Sequence, residues 1–174
     1  MKLITIIFIG LLITAGLVYS LSQRPLMGRE IERWETTNHT IKIRVTAHPE
    51  EGGGFVGGAY YVFQSAREGE VNWREIMTVR HDPIKIPREG VKFIGDQVGY
   101  VFMLYNYGVT VDGGVTWYVW RAPQDLPNWR QTRANIDDVR IFPDGTGIMT
   151  LRSSTDQVAP ELHTNDYGKH WNLR

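Results

Sequence analysis

The chain contains no cysteine. Disulfides, thiolate zinc sites, iron–sulfur clusters, cysteine nucleophiles and a lipidated N-terminal cysteine are therefore excluded. An excess of one charge is also missing. Nineteen basic side chains face nineteen acidic ones, and after residue 21 the count is 18 against 19. A nucleic-acid partner calls for a basic excess gathered on one face, so no nucleic acid is expected. Several catalytic signatures are absent as well. No Gly-x-Ser-x-Gly elbow occurs, and Gly52-Gly53-Gly54 and Gly57-Gly58 are not followed by Lys-Ser/Thr and a helix. The histidines (His39, His48, His81, His163, His170) show no ligand spacing, so neither a metal nor another cofactor is expected. The clearest acidic pairs, Glu50-Glu51 and Asp137-Asp138, lie in or beside loops and read as solvated rather than as a glycosidase dyad. The chain reads as a non-enzyme.

Long apolar runs are scarce too, with one exception. Leu3 to Leu21 holds 19 residues without a charge, close to the roughly 20 that cross a bilayer as a helix. Lys2 supplies a short basic start, and Val18-Tyr19-Ser20 is an acceptable cleavage site, so a cleaved signal peptide and a retained inner-membrane anchor both fit. A buried core helix fits less well, because every face lacks charge. Either export reading puts the body in the periplasm or otherwise outside the cytoplasm, and a retained segment makes the membrane itself a partner. Residues 22–39 are polar and read as a linker; residues 40–174 read as one all-β domain.

What is abundant is glycine (18), tryptophan (6) and tyrosine (8), a composition of short strands and tight turns. Ile41 to Thr46 alternates strictly, Ala59 to Phe63 and Trp73 to Val79 follow as strands, and His81-Asp82-Pro83 ends the latter hairpin. An internal repeat then appears. Val91 to Tyr100 aligns with Val139 to Ile148 at an offset of 48 residues, each copy giving a strand, an Asp-bearing turn and a glycine. The strands that follow, Tyr100 to Tyr105 and Ile148 to Leu151, look apolar on both faces, as in a sheet interior. Both copies end on T-x-D-x-G-x-x-W: Thr110, Asp112, Gly114 and Trp117 in one, Thr164, Asp166, Gly168 and Trp171 in the other. An insertion within Arg152 to Pro160 accounts for the offset growing to 54. Ser65 to Trp73 echoes the pattern with a misplaced Gly69 and no Asp, a degenerate third copy.

The spacing has a physical meaning. Asp and Thr can bond backbone groups two or three residues on, Gly supplies positive φ, and Trp turns back under the loop as an interior wedge. These two segments resemble Asp-box (BNR) repeats, found on β-propeller blades of sialidases and of extracytoplasmic assembly proteins. The resemblance implies antiparallel meanders of propeller-blade type, with the Asp boxes structural and away from any active site. About 150 residues suffice for about three incomplete blades, too few to close a ring, so an open or sandwich-like body is expected. The sialidase Arg-Ile-Pro signature is absent; Ile86-Pro87-Arg88 has another order.

Binding is the function that remains. The connector Arg121 to Arg133 carries two prolines, three arginines and a tryptophan, and Arg121, Trp129, Arg130 and Arg133 are the candidate partner-binding residues. Glu50 to Gly58 and Arg152 to Pro160 are further candidate contact loops. Arg80 to Pro87, Val98 to Met103 and Thr110 to Gly114, behind an export segment, also resemble small periplasmic immunity proteins that protect bacteria against lipase effectors of the type VI secretion system. That resemblance implies inhibition of a secreted lipase toxin and assigns no inhibitory residue. An envelope assembly or scaffolding factor, and a minimal glycan-binding or glycosidase module, are the alternatives.

Overall fold

The computed structural model describes residues 28–50, 58–81, 86, 88–127, 129–153 and 160–173. The apolar segment 3–21, most of the Gly-rich stretch 50–58, Asp82-Pro83 and most of the insertion 152–160 lie outside the described residues.

Among the described residues twelve strands form three four-stranded antiparallel sheets, each a meander of consecutive strands. The first contains β1 (Glu32–Thr37), β2 (Ile41–Pro49), β3 (Ala59–Arg67) and β4 (Arg74–His81). The second contains β5 (Val91–Ile94), β6 (Val98–Met103), β7 (Asn106–Thr110) and β8 (Tyr118–Arg121). The third contains β9 (Asn135–Ile141), β10 (Gly147–Arg152), β11 (Glu161–Thr164) and β12 (Asn172–Leu173). The all-β expectation holds, and no sheet is short of a strand or closed on itself.

Two cores separate the three sheets. Ile41, Ile43 and Val45 of β2, Tyr61 and Phe63 of β3, and Val101 and Met103 of β6 share the first. Tyr100 and Phe102 of β6, Tyr107 and Val109 of β7, and Val139, Met149 and Leu162 of the third sheet share the second. Because successive side chains of a strand point to opposite faces, the middle sheet must be apolar on both. β6 is buried at every position for that reason. β10 is not: Met149 and Leu151 are buried while Ile148 and Thr150 are half-exposed. The expectation that both strands are interior is corrected by place in the stack, since among the described residues the third sheet has a neighbour on one side only. β6 also ends earlier than expected, because Leu104 turns the chain with a φ of 55°.

Within the span 22–39 read as a linker, residues 32–37 are instead part of the first sheet. Glu32–Thr37 is a strand paired along its whole length with β2, from Glu32↔Ala47 to Thr37↔Lys42. Its polarity is that of a sheet edge. Trp34 packs into the first core, whereas Arg33 and Glu35 face solvent and pair with Glu30 and Arg44. The outer faces of the first and third sheets carry Arg44–Glu35, Arg80–Glu50, Arg140–Asp138 and His163–Glu161 pairs. Such charged outer faces end a stack in the way that capping repeats end a solenoid. The open edge of β9 is closed differently: Lys92 Nζ and Tyr100 Oη both donate to the Val139 carbonyl at 3.1 Å.

Candidate functional site

In a meander, connections alternate between two ends, so odd-to-even links lie at one end and even-to-odd links at the other. The first end holds only tight turns. After β7 the Thr110 hydroxyl donates to Asp112 Oδ1 (2.8 Å) and its oxygen accepts the Gly114 N–H (2.9 Å). Asp112 Oδ1 accepts the N–H groups of Val115 (3.1 Å) and Thr116 (3.0 Å). After β11 the same bonds recur: Thr164 to Asp166 (2.8 Å), Gly168 N–H to Thr164 (3.0 Å) and His170 N–H to Asp166 (3.1 Å). Gly114 and Gly168 sit at φ +86° and +85°. The Gly113 N–H donates to the Gln97 carbonyl, and the Tyr167 N–H to the Gly145 carbonyl, so each turn is tied to the first hairpin of its own sheet.

The first sheet shows the same tie, Glu68 N–H to the Thr40 carbonyl at 2.9 Å. Gly69, four residues after Ser65 as Gly114 is after Thr110, has φ +81°. Gly69 is thus in register, and the displaced residue is Trp73, which lies under the Arg44 guanidinium at 4.2 Å. The reason is packing. Trp117 and Trp171 each enter the core shared with the preceding sheet, and a side chain on Gly114 or Gly168 would meet Ile41 or Tyr107 of that sheet. Among the described residues no sheet precedes the first, and nothing lies within 4 Å of a Cβ at Gly69.

Burial raises the Asp166 carboxyl pKa, but the hydrogen bonds from the His170 side chain and N–H and from Thr164 outweigh it and hold it at about 2. Asp112 is lowered likewise: burial opposes, and the bonds from Thr116, Thr110 and Val115 prevail. A depressed folded value contributes stability above the ordinary 3.8 that is lost as pH falls through about 2. The stability gap between wild type and Asp166→Asn is therefore expected to be full at neutral pH and to narrow between about pH 4 and pH 2. Denaturant midpoints across that range read it; a constant gap contradicts the assignment. These carboxylates spend their lone pairs on their own turns and serve structure.

The opposite end holds the long links. The Gly-rich stretch 50–58, the link from β4 to β5, the connector 122–134 and the insertion 153–160 all leave strands at this end. The chain also enters here, where the Gly28 N–H donates to the Pro49 carbonyl (2.8 Å). The connector expected as a loop contains two single-turn helices, α1 (Ala122–Asp125) and α2 (Trp129–Thr132). Pro123 suits the first turn of α1, and Asp125 Oδ2 accepts the Arg121 N–H at 2.7 Å.

Trp129 is half-buried: its Nε1 donates to the Ala134 carbonyl (3.0 Å) and its ring meets Tyr105 edge-on, centroids 5.8 Å apart. Trp129, Tyr105, Arg130, Arg133 and Asn135 line an open groove of about 540 Å³. On the other side of Trp129, Pro123, Leu126 and Gln131 complete a second hollow of about 290 Å³, which Arg130 also borders. The structure thus brings together Trp129, Arg130 and Arg133 and leaves Arg121 outside both hollows. Sequence reasoning missed Tyr105 and Asn135. They come from the β6–β7 turn and the start of β9, which meet where the Ile136 N–H donates to the Leu104 carbonyl (2.5 Å), and no local pattern announces that meeting.

Among the described residues no carboxylate lines the groove. Asp125 caps α1, and Asp137 pairs with Arg152. Elsewhere, the Arg80 hydrogen bond lowers the Glu50 carboxyl, and Asp138, despite burial, is lowered by Arg140 and Lys92. That direction is opposite to what a general acid needs. Among the described residues no group of three or more His, Asp or Glu side chains is placed to hold a metal ion. No family model, curated protein or solved structure matches this chain.

Proposed function

We propose that this chain is a non-catalytic, extracytoplasmic binding protein whose loop-bearing end engages a protein partner, most specifically as an immunity protein that neutralises a secreted type VI phospholipase. The observation that carries the reading is the sorting of the links. Every long connection, with Trp129, Arg130 and Arg133 among them, leaves one end, while tight self-bonded turns occupy the other. Loops on a rigid scaffold are where recognition concentrates, and Trp and Arg are the anchors most often found at interface centres. The paired turns and the four-stranded meanders support kinship with Asp-box blades, here three of them in an open stack.

The point of entry adds to the argument. Residues 22–28 reach at most about 25 Å, so an anchor at residues 3–21 would hold the loop end beside the membrane, where a lipase works. Affinity capture from the envelope fraction followed by lipase assay tests the proposal. Stoichiometric loss of the captured partner's lipase activity, restored by Trp129→Ala, is the expected result. A stable pairing without inhibition overturns the immunity reading and favours an envelope assembly factor. Turnover of fluorogenic glycosides abolished by one carboxylate substitution would overturn the non-catalytic reading.

A further inference from the structure

Resting on the proposal that the loop end binds protein, we infer that the groove between Tyr105 and Trp129 takes an acidic segment of the partner, with a carboxylate held by Arg130 and Arg133 and an apolar side chain laid on the Trp129 ring. Three independent features point there. First, charge: both arginines are exposed, and neither forms an ion pair among the described residues. Most other arginines near a sheet face or edge (Arg33, Arg44, Arg74, Arg80, Arg140, Arg152) are paired with carboxylates. Arg130 on α2 and Arg133 just after it carry two guanidinium forks onto one groove that no acid lines among the described residues, a pairing complementary to carboxylates.

Second, the aromatic floor is fixed before any partner arrives. Trp129 is held by its Nε1 bond to Ala134, by Tyr105 edge-on and by the second core, so its ring presents apolar area with little conformational freedom left to lose. Third, the backbone around the groove adopts an uncommon conformation. Among the described residues three non-glycine residues have positive φ: Leu104 (55°), Arg133 (45°) and Tyr167 (63°). Two of them border this groove, Leu104 as the neighbour of Tyr105 and Arg133 as a lining residue. Tyr167 belongs to the acid-bearing turn, where its place is explained. Left-handed conformations of this kind persist where surrounding structure enforces them and gather at recognition sites. At Arg133 the turn follows the Arg133 N–H donation to the Trp129 carbonyl (2.7 Å), and both residues line the groove.

The test uses the full chain in detergent against a displayed library of random twelve-residue peptides, with phosphatidylglycerol vesicles as the lipid arm. Peptides enriched by the wild type are expected to be rich in Asp and Glu beside an aromatic or aliphatic residue. Their binding is expected to fall about tenfold or more in Arg130→Gln/Arg133→Gln, with an unchanged melting midpoint and partial recovery in Arg130→Lys/Arg133→Lys. Absence of enrichment, enrichment without acidic excess, equal binding by the glutamine variant, or tighter binding to the vesicles than to any peptide overturns the inference. Its failure is separable from that of the parent proposal. A captured partner whose lipase activity is inhibited as before by the glutamine variant, yet not by Trp129→Ala, leaves the partner reading standing and removes the acidic segment.

Discussion

Trp171→Ala is expected to destabilise the protein by about 3 kcal/mol, seen as a fall of roughly 10 °C in the melting midpoint. Trp171 enters the core between the second and third sheets and meets Tyr107 edge-on at 5.5 Å, and Tyr107 is itself fully buried. Removing the indole opens a cavity beneath the turn and takes away a ring pair worth about 1 kcal/mol. Trp171→Phe is expected to cost far less, because the buried indole N–H has no hydrogen-bond partner among the described residues to lose. Trp117→Ala should behave like Trp171→Ala, since Trp117 fills the corresponding place against the first core. Trp73→Ala should cost under about 1 kcal/mol, for Trp73 rests on the solvated outer face beneath Arg44 and Lys42. Denaturant midpoints of the three alanine variants check the ordering. An unchanged midpoint for Trp171→Ala would show that the ring is not a wedge.

The second large effect is expected at Gly168. Its φ is +85°, and an added Cβ would stand 2.4 Å from Tyr107 Oη and 3.0 Å from Trp171 Cζ2. Neither neighbour is free to retreat, since Tyr107 is fully buried with its hydroxyl donating to the Tyr167 carbonyl (3.2 Å). Left-handed backbone costs an alanine about 1 kcal/mol, and forcing a methyl into a filled core adds about 2. Gly168→Ala should therefore lose about 3 kcal/mol. The equivalent positions grade the effect. At Gly114 (φ +86°) the nearest atom is Ile41 Cγ2 at 3.5 Å, an ordinary contact, and at Gly69 (φ +81°) nothing lies within 4 Å. Both should show mainly the backbone cost of about 1 kcal/mol. Equal losses at all three glycines would mean that the approach of Tyr107 contributes nothing.

These three glycines also mark where reading from sequence stopped. The T-x-D-x-G-x-x-W turns were legible because every bond that builds them is local: Thr110 to Gly114 and Asp112 to Thr116 span four residues. Alternation disclosed β2, and the offset of 48 disclosed the matching hairpins of the second and third sheets. Glu32–Thr37 escaped because an edge strand with one half-buried tryptophan resembles a polar linker. The degenerate copy was misjudged at Gly69 because the tie that sets its register, Glu68 to Thr40, runs between two hairpins. For the candidate site, Trp129, Arg130 and Arg133 were visible as residue types in one connector. Tyr105 and Asn135 lie 24 and 6 residues from Trp129 in the chain and reach it only through the fold.

By itself the sequence determined the local chemistry: which segments extend, which turns bond to themselves, and which thiol and motif-based mechanisms are shut out. Only the tertiary structure decided which sheet lies in the middle, why the tryptophan after the first sheet's turn is displaced, and which end carries the long loops. The physical reason is range. A side-chain cap acts over four residues and leaves its mark in spacing, whereas burial on two faces, the seat of a tryptophan and the floor of a groove depend on which surface another sheet comes to cover.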